Sequence, residues 1–272
     1  MPKFFGTGIP CDSPLAAFSK PYYNRGAGKS CKEKKENCRM LINVIQSLSD
    51  GRGVDWGQAL AQVLSVGFVV LCVLPLHEFA HGWVACKLGD PTAKNAGRLT
   101  LNPFKSLDPL GALAILLVGF GWAKPVPVNP RYFKNPKRGM ALTALAGPLS
   151  NLLAALLGAF LATGLAAGSA RHGFNAATYF IFQVLYYYVV VNISLAVFNL
   201  VPVPPLDGSR IVGMFLSDRA LAAFYKNQQA LSFILMILLV SGKLSGPFSM
   251  AQQAVANVIF RIAGLPFGLF GL

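Results

Sequence analysis

Of the 272 residues, 54% are hydrophobic and only 12% charged, a balance that argues against an ordinary soluble protein. The formal net charge is +14, but the basic residues sit in short segments between apolar stretches. That pattern suits cytoplasmic loops of a membrane protein and argues against nucleic acid as a partner.

Residues 1–39 are polar, basic and rich in Gly, Pro and Ser, and are expected to be disordered. They lack the apolar core of a signal peptide. Met40 opens a short amphipathic lead-in, which makes it a candidate native start; peptides from residues 1–39 in the natively expressed protein would exclude that. Cys11, Cys31 and Cys38 have no paired Cys-x-x-Cys spacing, so neither a zinc knuckle nor a disulfide framework is supported.

The first long apolar stretch, from about Ala59 to Ala85, exceeds the roughly 20 residues that a crossing needs. Its last third holds His77-Glu78-Phe79-Ala80-His81. A basic link follows, then an apolar piece from Leu110 to Trp122 that is short for a crossing. Both its flanks are basic, so a re-entrant element is expected, with Val126 and Val128 between prolines as an extended edge strand. Further spans are expected at about Met140–Ala167 and Ala177–Val201. In the first of these, Gly147, Asn151, Ala155 and Ala159 recur at intervals of four and form a face for close helix packing. The C-terminal apolar segments, about Leu231–Val240 and Ala251–Phe270, are short or interrupted.

The chemistry centres on the pair His77 and His81. Residues four apart share one helix face, so both imidazoles can reach one tetrahedral cation. Glu78, the only glutamate after Met40, is placed to take a proton from water without being a ligand. The competing reading is a chance match at a helix end. Burying these side chains in an apolar span costs a few kcal/mol each unless they serve or are paired, which favours a site. A catalytic zinc takes a third protein ligand. His172, the remaining histidine, lies between the second and third spans. Asp50, Asp55 and Asp218 lie in polar segments, and Asp90-Pro91 and Asp108-Pro109 read as turn or helix-start signals. Asp207, at the inward end of the third span, is the candidate; the alternative is a cap or turn in Pro-Pro-Leu-Asp-Gly.

Three separated motifs, His77-Glu78-Phe79-Ala80-His81, Ala146-Gly147-Pro148-Leu149-Ser150-Asn151 and Asn199-Leu200-Val201-Pro202-Val203-Pro204-Pro205-Leu206-Asp207-Gly208, together resemble the site-2 protease family of intramembrane zinc metalloproteases, peptidase family M50. The resemblance runs from about Leu60 to Arg210. It implies that His77, His81 and Asp207 bind one zinc ion per chain and that Glu78 is the catalytic base. Asn199 matches the asparagine assigned to substrate or transition-state contact. Gly121-Trp122-Ala123-Lys124-Pro125-Val126-Pro127 is similar to the segment that offers an edge strand to an unwound substrate, which makes Lys124, Pro125 and Val126 substrate-binding candidates. The alternatives are a proline-rich packing loop and, for Lys124, a snorkelling interfacial cation. Asn151 matches the Gly-Pro-x-x-Asn motif and is a further candidate at the substrate site; a plain interhelical hydrogen bond is the alternative. Ser106 departs from the many similar members that carry His there, so no metal or proton-relay role is expected of it.

The expected fold is an all-α polytopic membrane protein, a site-2-protease-like helical core with a small re-entrant β element. Residues 1–39 would be a basic N-terminal segment, 40–217 the catalytic membrane core and 218–272 C-terminal apolar helices. The expected activity is hydrolysis of peptide bonds in or near transmembrane segments of membrane proteins, in the cell membrane, with a site open toward the cytoplasm. An ion transporter and a non-catalytic scaffold are the rival readings.

Overall fold

The computed structural model describes residues 64, 67–106, 108, 110–111, 124–169 and 174–268. The segment 1–39, Met40, His172 and most of the expected re-entrant piece, 112–123, lie outside them, as does the beginning of the first apolar stretch.

The chain is helical from Gly67 to Lys87. A π turn at Val69–Val73 leads into α1, Leu74–Lys87. Pro75, at the start of α1, has no N–H for the preceding turn, and the widened π turn absorbs the missing bond. Two single-turn helices follow, α2 (Thr92–Asn95) and α3 (Pro103–Ser106). Both aspartates read as turn or start signals behave so. Asp90 accepts the Thr92 N–H and hydroxyl, and Asp108 accepts the N–H groups of Leu110 and Gly111.

Two helices are long and apolar enough to cross a membrane. These are α4, Pro136–Ser169, and Ala177–Asn199 within α5, Ala176–Asn199. A reciprocal cap starts α5: Thr178 N–H donates to Asn175 Oδ1, and Asn175 N–H to Thr178 Oγ1. After α5 come α6 (Asp207–Gly213), α7 (Asp218–Lys226), α8 (Gln228–Val240) and α9 (Ser245–Gly264).

Helix α4 is the hub, packing against α1, α5, α6 and α9. Its inner face is made of small residues. Ala155, Ala159, Ala162 and Ala166 are fully buried against Phe182, Tyr186, Val189 and Ile193 of α5 and Ile259, Phe260 and Ala263 of α9. The opposite face is a ridge of exposed leucines at 142, 145, 149, 153, 157 and 161. Small residues inward and leucines outward invert the soluble pattern. They suit close helix contact with hydrocarbon outside.

Among the described residues there is no strand. Lys124–Asn129 runs without regular structure, and its backbone is tied to neighbours other than a sheet partner. Lys124 N–H donates to Ser106 O (2.9 Å), Val126 N–H to Glu78 (3.0 Å) and Asn129 N–H to Asp90 Oδ2 (2.7 Å). The two prolines, 125 and 127, bring no donors to complete a ladder.

Candidate metal centre

Helix α1 supplies His77 and His81, one turn apart and both buried. The chain re-enters beside them at α6, whose first residue is Asp207. The Nε2 atoms of the two histidines are 3.0 Å apart, and Asp207 Oδ2 lies 3.2 Å from the first and 3.1 Å from the second. Three lone-pair atoms on two distant segments thus converge on one point.

Asp207 does not cap its own helix. The cap position is Leu206, which makes no side-chain cap bond. Asp207 Oδ2 is buried, and although it lies within ion-pair distance of both rings it forms no hydrogen bond of acceptable geometry. An orphaned buried carboxylate oxygen is costly unless something positive meets it. A tetrahedral cation with bonds of about 2.0–2.1 Å has donors roughly 3.3 Å apart, close to the spacing found here. The donor set fits such an ion, with a fourth position left for water or substrate.

Backbone geometry fixes the rings. His81 Nδ1 donates to the carbonyl of Thr143 on α4, at 2.7 Å, which leaves Nε2 with its lone pair toward Asp207. Asn151, fully buried on the same helix, stands 3.1 Å from His77 Nδ1. Between these two contacts lies Gly147. A Cβ there would collide with both imidazole rings, so only a glycine lets α4 come this close. Gly208 is held in the same way, since a Cβ would strike the carbonyls of Leu200 and Val201. Thr143 and Asn151 lie about 10 and about 22 Å along α4 from its Pro136 end at about 1.5 Å per residue, well inside the helix rather than at its tip.

Glu78 is half-buried on α1, and its Oε2 accepts the Val126 N–H. Val126 itself is buried, whereas Lys124 and Pro125 are exposed. The Lys124 carbonyl accepts from Arg98 Nη2 at 2.6 Å. Asn199 sits at the last residue of α5 with one of its two amide hydrogens donated back to Leu195 O. Ser106 is buried, and its backbone carbonyl anchors Lys124.

Three contributors escaped the sequence reading. The Thr143 carbonyl has no residue-specific signal. Gly147 was visible as a member of a small-residue row and of the Gly-Pro-x-x-Asn motif but not as a neighbour of the histidines, and Asp90 only as a turn residue, although it clamps Asn129 from 39 positions away.

The model of peptidase family M50 matches residues 169–242. The chain is 48% identical over 140 residues to "Putative zinc metalloprotease YwhC" of Bacillus subtilis, a match covering 50% of this chain and 62% of that protein. It is 27% identical over 222 residues to "Putative zinc metalloprotease Rip2" of Mycolicibacterium smegmatis, covering 76% and 81% of the two chains. The "Putative zinc metalloprotease Rip2" of Mycobacterium tuberculosis is 28% identical, also over 222 residues. No solved structure matches.

Proposed function

We propose, from its likeness to peptidase family M50, the site-2 proteases, that the chain is an intramembrane zinc metalloprotease cutting peptide bonds in or near the transmembrane segments of other membrane proteins. The observation that carries the reading is the convergence of His77, His81 and Asp207 next to Glu78, the one glutamate after Met40. In this reading the three converging residues are the ligands and Glu78 is the base.

Bound zinc would supply a Lewis acid that acidifies a water and polarises the scissile carbonyl. Glu78 takes the proton of the attacking water and returns it to the leaving amine. Its half-buried carboxylate, held by Val126, stays beside the ligands without being one of them. Asn199 would reach the developing oxyanion by releasing Leu195 and turning its amide outward. Lys124, Pro125 and Val126 would hold an unwound substrate in extended form, since strand pairing binds main chain irrespective of sequence.

The chain would be a multi-pass protein of the cell membrane with its site open to the cytoplasm. Support comes from the exposed cations Lys94, Lys105, Lys124, Arg131 and Lys134, all on segments that flank the site. A lipid bilayer and a transmembrane protein substrate are the partners so implied.

The test is purified protein in detergent with a model transmembrane substrate and bound zinc measured in parallel. Glu78→Gln is expected to keep stoichiometric zinc and lose cleavage about 10²–10⁴-fold. Asp207→Ala is expected to lose both. Equal cleavage by wild type and Glu78→Gln, or no zinc in either, overturns the assignment. A transporter whose ion path these residues line would show no cleavage in the wild type.

A further inference from the structure

Asn151 meets the ring of His77 through its side-chain nitrogen, 3.1 Å from Nδ1, while its Oδ1 is buried with no partner. The two ends of a carboxamide exchange by a half turn about its last bond. Either orientation leaves one end unpaired, so counting hydrogen bonds does not choose between them. The tautomer of His77 does.

A neutral imidazole carries one N–H and one lone pair. With the amide nitrogen facing Nδ1, the ring proton sits on Nε2 and is shared with His81 Nε2, 3.0 Å away. That arrangement spends the Nε2 position of His77 on a proton. To present Nε2 to a cation, His77 must carry its proton on Nδ1, and an acceptor must then stand there. His81 already has one in the Thr143 carbonyl, which can only accept. His77 has Asn151.

We infer that Asn151 is a positioning residue for the metal site. Its amide turns so that Oδ1 accepts the Nδ1–H of His77, fixing the tautomer whose Nε2 binds the cation. With the proton on Nδ1, the Nε2 lone pair of His77 faces Asp207 together with that of His81. The inference rests on the zinc-site reading above.

It predicts an unusual ranking of substitutions. Asn151→Asp keeps the acceptor and removes the donor. Asn151→Leu keeps the approximate shape and removes both, and Asn151→Ala serves should Leu fail to fold. Zinc affinity is measured by competition with a chelator, alongside the absorption of the cobalt-substituted site and the unfolding temperature of each metal-free variant. Asn151→Asp is expected to bind zinc within about threefold of wild type, and Asn151→Leu or Asn151→Ala about 10–100-fold more weakly, the usual cost of losing a ligand's outer partner. If Asp binds as poorly as Leu or Ala, the amide nitrogen is the needed atom and the inference fails. If Leu and Ala bind as wild type does, Asn151 has no part in the site. A wild type that takes up no stoichiometric zinc overturns the site itself, and this inference with it.

Discussion

The backbone N–H of Val126 donates to Oε2 of Glu78 across 3.0 Å, tying a proline-flanked segment to the only glutamate after Met40. Because residues 125 and 127 are prolines, Val126 carries the one amide hydrogen between Lys124 and Val128. The group that orients the proposed base is therefore also the donor that an incoming extended substrate would seek.

Val126→Pro removes that hydrogen while keeping an apolar side chain. A hydrogen bond to a charged group is worth about 1.5–3 kcal/mol, so kcat/KM for a transmembrane substrate is expected to fall roughly 10–100-fold. Bound zinc should stay stoichiometric. Unchanged turnover would show the contact to be idle, and faster turnover would make it a brake.

Gly147→Ala tests the close approach of α4 to the histidines. Its Cβ would meet His77 and His81 together, and overpacking of this kind costs about 1–3 kcal/mol. The rings must shift to relieve it, so zinc affinity is expected to fall at least tenfold while the helical circular dichroism is retained. An equal loss on Gly164→Ala, whose added methyl would meet the Phe267 ring first, would reduce the effect to general helix packing.

Asp90→Asn probes the clamp on the Lys124–Asn129 segment. Asp90 is fully buried and accepts from Thr92 on one oxygen and from Asn129 N–H on the other. An amide can serve Thr92, but its NH₂ then faces the Asn129 N–H, donor against donor. The expected loss is about 2–3 kcal/mol, or roughly 5–10 °C in unfolding temperature at about 2–4 °C per kcal/mol. KM should rise if the freed segment holds substrate. Wild-type stability in this variant would rule the clamp out.

The sequence carried the local part of the site. A helical spacing of four joins His77 to His81 whatever surrounds them, and the shortage of carboxylates narrowed the third donor to Asp207. The choice for Asp207 between helix cap and convergence on the histidines was not legible, because both use the same dipeptide at a helix start. It depends on where α6 lies relative to α1, which α4 decides. The Val126 contact to Glu78 was hidden for a similar reason, since a main-chain hydrogen leaves no trace in composition. Alternating valines suggested a strand there. The described residues show a segment whose hydrogens go instead to Ser106, Glu78 and Asp90.

The row of fully buried alanines on α4 forms one core cluster with α5 and α9. Its contacts with α5 and α9 involve none of the three converging donors. On the metalloprotease reading, these contacts stand whether or not the ion is bound. Output from such a protein would follow the supply of metal as well as the rate of synthesis.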